Sequence, residues 1–137
     1  MSWEKNDLIP KTEIREKITD ATVEFAIRFG EHLATKDLKN NEEPLTTSQL
    51  RKFYGEVKRQ QLNGYDETQF VMLKPKLAYA VGRAKKNNKI KDFNLVIANA
   101  IDCVEESPDK KKAFRNFIYA FEAIVAYHKL YENKNKQ

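Results

Sequence analysis

Long apolar runs are missing from this 137-residue sequence, and cysteine, glycine and proline are scarce in it. Without a run of about 18 apolar residues, we expect no membrane-spanning helix. The N-terminal stretch MSWEKNDLIPKTEIREK lacks the apolar core of a signal peptide. The single cysteine, Cys103, has no partner for an internal disulfide. Together these absences favour a soluble cytoplasmic protein that does not enter a membrane.

Glycine and proline are also scarce, at four residues each, which argues against an all-β fold with many tight turns. No alternating strand pattern of useful length occurs, whereas apolar residues recur at helical spacing in five stretches. The predicted fold is all-α, a single-domain bundle of about five helices over residues 1–137, with residues 1–10 and 133–137 disordered or frayed. The predicted helices cover approximately residues 11–33, 46–63, 67–86, 91–105 and 108–132.

Several helix ends are encoded locally. Thr46 and Gln49 have the spacing of a capping box, and Gly64 suits a left-handed C-cap. Asp66 is placed to cap the third helix. Pro75 leaves two alternatives open: it kinks that helix, or a short turn ends before it and Pro75 occupies the first turn of a new helix.

Positive charge is concentrated in the middle of the chain. Residues 51–91 contain eleven Lys or Arg and three acidic residues, a net charge of +8, while the remainder sums to −3. A cationic region in an otherwise mildly acidic protein indicates a polyanionic partner. The alternative is a lysine-rich surface that is merely solvated.

Helical projection sorts these charges onto the outer sides of the second and third helices. In LKPKLAYAVGRAKK, residues 73–86, Leu73 and Leu77 fall on the core side, and Lys76, Tyr79 and Arg83 fall opposite them. Cations one helical turn apart can follow the phosphates of a nucleic-acid strand, and an aromatic side chain can stack on a base. The predicted RNA-binding residues are Arg51, Lys52, Lys58, Arg59, Lys74, Lys76, Tyr79, Arg83, Lys85 and Lys86.

Catalytic chemistry finds little support in the sequence. His128 projects onto the apolar face of the last helix, as expected of a core histidine. Arg28 and His32 partly resemble the Arg–His signature of HEPN-class ribonucleases, but the spacing is one residue short and Phe29 replaces a polar companion. No P-loop, GxSxG or CxxC motif occurs, and the cluster around Asp102 lacks a His or Cys at metal-ligand spacing. The sequence therefore predicts no enzyme, no cofactor and no metal site.

Three segments in order carry a family resemblance: TTSQLRKFYGEVKR (46–59), LKPKLAYAVGRA (73–84) and FEAIVAYHK (121–129). Over residues 45–131 the chain resembles the small helical subunit of type III-A CRISPR–Cas effector complexes. The resemblance implies a non-catalytic protein, several copies of which line a ribonucleoprotein filament and contact the backbone of guide and target RNA. RNA cleavage would belong to the filament-forming subunits, and DNA cleavage to the large subunit.

At the positions that match, the resemblance implies that the family's basic residues are Arg51 and Lys52 in the first segment and Lys74, Lys76 and Arg83 in the second. The other predicted cations rest on the helical projection alone, and Tyr79 is left to face either RNA or a neighbouring helix. The function expected is a scaffold subunit that grips CRISPR RNA and target RNA without sequence specificity, beside filament-forming and large subunits and further copies of itself. The alternative is a helical protein–protein adaptor whose basic patch only solubilises it.

Overall fold

Seven helices make up the regular structure of residues 3–136, the part of the chain that this computed structural model describes. The helices are α1 (Lys11–Arg15), α2 (Asp20–Ala34), α3 (Thr47–Asn63), α4 (Glu67–Val71), α5 (Leu73–Arg83), α6 (Ile90–Glu105) and α7 (Lys110–Asn135). In the same range the only β-type pairing is two isolated backbone bridges. The prediction of an all-α fold is confirmed, and the difference in helix number comes from two breaks.

The first break divides the segment that the sequence predicted as one helix over residues 11–33. The Glu13 carboxylate of α1 accepts hydrogen bonds from the backbone N–H and the hydroxyl of both Thr19 and Thr22. Burial of Glu13 raises its pKa, but these hydrogen bonds outweigh that effect and lower it. Thr19 also caps α2. The hydrogen bonds of the threonine hydroxyls therefore stabilise a break between α1 and α2 rather than a continuous helix.

The second break falls at Met72 and settles the two alternatives for Pro75. Met72 ends α4 and begins α5, which places Pro75 in the first turn of the new helix. The missing N–H of proline costs nothing there, because the first N–H groups of a helix have no partner within the helix. At its other end α5 stops at Arg83, three residues before the predicted end, because Ala84 adopts an extended conformation.

The capping box and the Asp66 cap are confirmed, whereas Gly64 has the positive φ but, with a ψ of 161°, not the full conformation of a left-handed C-cap. Thr46 and Gln49 form both hydrogen bonds of the capping box at the start of α3. Gly64 ends α3 with a φ of 87°, which disfavours any residue with a Cβ. The Asp66 carboxylate accepts from the Gln69 N–H at the start of α4.

The long helix α7 organises the core, packing against α1, α2, α3 and α6. Its apolar stripe is buried as predicted, with Phe117 and Phe121 in a network of edge and tilted ring contacts. The α2 backbone lies close to α7 at Gly30, where an added Cβ would lie 2.8 Å from the His128 nitrogen. A glycine is therefore required at this crossing.

Both ends of the described chain make specific contacts. The Trp3 ring packs edge-on against Phe25, and Ile9 is 3% exposed. At the other end α7 continues to Asn135, whose side chain donates to the Ala34 carbonyl. The sequence predicted disorder or fraying over 1–10 and 133–137; residues 1, 2 and 137 lie outside the described range. Within it, no helix combines the length and hydropathy that crossing a membrane requires.

Candidate nucleic-acid interface

An open groove of about 700 Å³ lies between α3 and α5, the two helices with basic outer sides. These two helices do not pack mainly on each other, since α3 packs mainly on α7 and α5 mainly on α6. Their facing sides therefore form the walls of the groove. We call it the α3–α5 groove; the residues that line it are Ser48, Gln49, Lys52, Phe53, Glu56, Met72, Pro75, Lys76, Tyr79, Ala80, Arg83, Ala84 and Ile90.

Four of the ten predicted RNA-binding residues meet in this groove: Lys52 from α3, and Lys76, Tyr79 and Arg83 from α5. The spacing of the three α5 residues places them on one face of the helix, because Leu73 and Leu77 are buried on the other. Tyr79 is 68% exposed, and the Arg83 guanidinium lies 5.8 Å from its ring centroid.

Glu56 is the acidic residue of the groove, and it holds two of the predicted cations. Its carboxylate lies 3.3 Å from the Lys76 ammonium and also pairs with Arg59. Burial raises the pKa of the Glu56 carboxyl, but hydrogen bonds from Arg59, Gln60 and Lys76 outweigh burial and lower the pKa to about 2. Glu56 therefore stays ionised at any physiological pH and offsets part of the positive potential.

Two further predicted cations are joined to carboxylates on other helices. Lys58 donates to Glu122 of α7 at 2.7 Å, and Lys74 donates to Asp102 of α6 at 2.7 Å. Each hydrogen bond raises the pKa of its lysine. These contacts connect α3 to α7 and α5 to α6, so both lysines have a structural partner that the sequence analysis did not assign.

Arg51 does not share the α3–α5 groove. It lies one step round the helix from Lys52 and lines a shallow pocket of about 230 Å³ between α3 and α7, beside Tyr54 and Lys129. The predicted RNA-binding residues therefore do not all share one groove, because Arg51 lies outside it.

The segment after α5 carries the last two predicted residues, Lys85 and Lys86, on an exposed loop rather than on a helix. Among residues 3–136, neither has a carboxylate partner, and the same holds for Arg51, Lys52 and Arg83. The neighbouring Lys89 differs: it is 3% exposed and donates to the carbonyls of His32 and Thr35. Its burial lowers its pKa.

The histidines and the cysteine occupy positions that do not form a catalytic pair. His128 is 1% exposed and its Nε2 lies 2.6 Å from the Leu45 carbonyl oxygen, as expected of a core histidine. Cys103 is buried, and burial raises the pKa of its thiol. Arg28 pairs with Asp7, while His32 pairs with Asp92, so the ribonuclease interpretation gains nothing from the structure.

Sequence reasoning missed the apolar part of the groove. Phe53 and Ile90 fall on core stripes, and Pro75 was interpreted only as a helix breaker, yet all three line the groove. Met72 lines it too and is 46% exposed. Phe53 and Ile90 are buried at the base of the groove, whereas Met72 and Pro75 are exposed, and helical periodicity carries no signal for this arrangement.

Comparison with known proteins identifies one family. The family model Csm2 Type III-A matches residues 19–134 of the 137-residue chain. The match covers all of the candidate interface and includes α2, which lies outside the segments that carry the sequence resemblance. No curated protein and no solved structure matches the chain significantly.

Proposed function

Since the chain belongs to the Csm2 type III-A family of CRISPR effector subunits, we propose that it is a non-catalytic scaffold that grips RNA through the α3–α5 groove. Membership of the family makes it a component of a multi-subunit effector complex. The proposal concerns what the chain does there. It binds the phosphate backbone of CRISPR RNA and target RNA without reading sequence, and base pairing with the guide supplies the specificity.

The observation that carries this proposal is the meeting of Lys52 and Arg83 across one groove, both without a carboxylate partner in the described chain. When an unpaired lysine or arginine binds a phosphate, cations condensed on the RNA are released, and this release favours binding. Cations already paired with carboxylates would lose that pairing to bind RNA. The free cations are therefore the stronger candidates for phosphate contacts.

The ten predicted residues contribute unequally under this proposal. Lys52, Arg83, Lys85 and Lys86 contact phosphates directly, and Lys76 does so in competition with Glu56. Tyr79, exposed and next to Arg83, stacks on a base or a ribose. Lys58, Arg59 and Lys74 add to the positive potential while remaining bound to carboxylates, and Arg51 meets RNA from the α7 side of α3.

One isolated copy binds weakly, because about four phosphate contacts supply little free energy at physiological salt. Several copies along one filament gain affinity through effective concentration. The proposed assembly therefore includes further copies of this chain beside the filament-forming and large subunits, in the cytoplasm, with cleavage carried out by those other subunits.

The test is the salt dependence of binding to single-stranded RNA, measured by fluorescence anisotropy of a labelled oligonucleotide at two salt concentrations. Four contacts predict a slope of log affinity against log salt of roughly −3, at about −0.7 per phosphate. Binding that is absent, or insensitive to salt, would overturn the proposal.

A matched pair of variants locates the interface. Lys52→Glu with Arg83→Glu reverses two groove charges, and we expect the salt slope to shrink by roughly 1.4. Lys111→Glu with Arg115→Glu makes the same change of charge at exposed positions of α7 outside the groove. If both double variants lose the same affinity, net charge rather than the groove accounts for the binding.

The alternative function, a protein adaptor, is favoured by the apolar part of the groove. Met72 and Pro75 are exposed in this groove, which Phe53 also lines, and such a surface suits an apolar side chain of another subunit. If the protein is an adaptor, Met72→Ser should abolish capture of a partner subunit, and the unsubstituted protein should not bind RNA. The RNA scaffold predicts that Met72→Ser leaves RNA affinity within about twofold, because phosphate contacts dominate it.

A further inference from the structure

Three side chains from different elements of the fold meet where α2 ends and α6 begins. His32 lies near the end of α2, Glu42 in the loop between α2 and α3, and Asp92 in the first turn of α6. His32 Nε2 lies 2.7 Å from Asp92 Oδ2, and one ligand atom from each of the three residues lies within 4.8 Å of the other two. We call this group the His32–Glu42–Asp92 cluster.

The Glu42 carboxylate gives the second, independent observation. Glu42 is 7% exposed, and its Oε1 has no hydrogen-bond partner in the described chain. Its other oxygen, Oε2, lies 3.9 Å from the Lys91 ammonium, a distant contact. A buried carboxylate oxygen without a donor costs free energy unless a proton donor or a cation compensates it.

The nearby Lys89 interacts electrostatically with Glu42 and Asp92, but it donates no hydrogen bond to the open Glu42 oxygen. Lys89 is buried close to the cluster, but its ammonium donates to the backbone carbonyls of His32 and Thr35. The two carboxylates of the cluster face two ammonium groups, that of Lys89 and that of Lys91, which lies 3.9 Å from Glu42 Oε2. The open Glu42 oxygen is therefore the feature of the cluster that a bound cation would satisfy.

We propose that His32, Glu42 and Asp92 bind one divalent transition-metal ion, for which Zn²⁺ is the best fit. One imidazole nitrogen and two carboxylate oxygens suit Zn²⁺, whereas Mg²⁺ and Ca²⁺ prefer oxygen ligands alone. Binding requires Asp92 to share its oxygen between the ion and His32, or to release the imidazole nitrogen to the ion. The ion connects the loop before α3 to α2 and α6, so its role is structural.

Trp3 makes the site observable. It is the only tryptophan of the chain, and its ring centroid lies 4.9 Å from that of His32. The experiment uses the full chain without an affinity tag, treated with a chelator and dialysed. CoCl₂ is titrated to follow quenching of Trp3 fluorescence, and ZnCl₂ to follow the melting temperature. We expect saturable quenching with one ion per chain, and a melting temperature several degrees higher with ZnCl₂ but unchanged with MgCl₂.

Two variants and one control assign the ligands. Glu42→Gln and Asp92→Asn keep the shape of the side chains and should each lose the ZnCl₂ response. Glu43→Gln makes the same change of charge one residue away, where the side chain is exposed and pairs with Lys36, and should keep the response. In the chelated state Glu42→Gln should be at least as stable as the unsubstituted protein, because it removes a buried carboxylate whose Oε1 has no donor and whose contact with Lys91 is long.

The unsubstituted protein by itself decides the proposal even if a variant does not fold. Absence of any ZnCl₂ effect on its melting temperature would overturn the metal site. Equal ZnCl₂ responses in Glu42→Gln and Glu43→Gln would overturn the assignment of Glu42. The RNA titration is independent of both results, since none of the three ligands lines the α3–α5 groove.

Discussion

The Lys76 ammonium on α5 lies 3.3 Å from the Glu56 carboxylate on α3, and this ion pair joins the two helices across the α3–α5 groove. Arg59 and Gln60 bind the same carboxylate from within α3. Glu56 thus fixes the position of Lys76 and at the same time competes with any phosphate for it. The first two predictions concern these opposing roles.

Glu56→Gln should strengthen RNA binding. The substitution keeps the size of the side chain and removes the charge that holds Lys76 and Arg59. One more available phosphate contact should raise affinity about threefold to tenfold at low salt and steepen the salt slope by roughly 0.7. Anisotropy titrations of both proteins measure this. Glu67→Gln, which removes an exposed carboxylate outside the groove, is the control and should change the slope less. Unchanged RNA affinity in Glu56→Gln would show that Lys76 does not contact phosphate.

Acid should unfold the protein in part through Glu56. Its folded-state pKa is lowered from 4.5 to about 2, so the folded state holds fewer protons than the unfolded chain between these values. The stabilisation is therefore fully present above pH 4.5 and is lost as the pH falls toward 2. We expect a contribution of about 1–2 kcal/mol, since solvent partly screens the pair. Urea unfolding of the unsubstituted protein and of Glu56→Gln should differ at pH 6 and converge near pH 2; a constant difference would contradict this assignment.

Gly30→Ala should destabilise the fold. Its Cβ would lie 2.8 Å from backbone atoms of Tyr127 and His128, so α2 and α7 must separate. Overpacking of this kind costs about 1–3 kcal/mol. Gly55→Ala is the matched control, because a Cβ there meets nothing within 4 Å and alanine favours the helix by about 0.5–1 kcal/mol. Thermal unfolding of both variants should give shifts of opposite sign.

Tyr79→Ala should weaken RNA binding without changing stability. The side chain is 68% exposed and contributes little to the core. Base stacking on an aromatic ring is worth about 1–3 kcal/mol, so affinity should fall about fivefold or more. Tyr79→Phe keeps the ring and should retain affinity. If both variants bind RNA as the unsubstituted protein does, Tyr79 instead meets a neighbouring subunit.

Local signals in the sequence determined most of the secondary structure. Three of these signals act within a few residues: the Thr46–Gln49 capping box, the positive φ of Gly64 and the Asp66 cap. They can therefore be inferred from the sequence without the tertiary structure. The apolar stripe of α7 is equally local, because its period follows from helix geometry. These signals establish most of the helices, their core faces and the concentration of positive charge between residues 51 and 91, but they do not show the break between α1 and α2.

Tertiary structure decided which of those charges are available. Lys58 pairs with Glu122, 64 residues along the chain, and Lys74 pairs with Asp102, 28 residues along the chain. A projection of one helix cannot show either pair. The same holds for the His32–Glu42–Asp92 cluster, whose members come from two helices and a loop. Charge and periodicity are properties of single segments. Pairing, burial and metal geometry depend on distances between segments, and only the packing of the helices sets those distances.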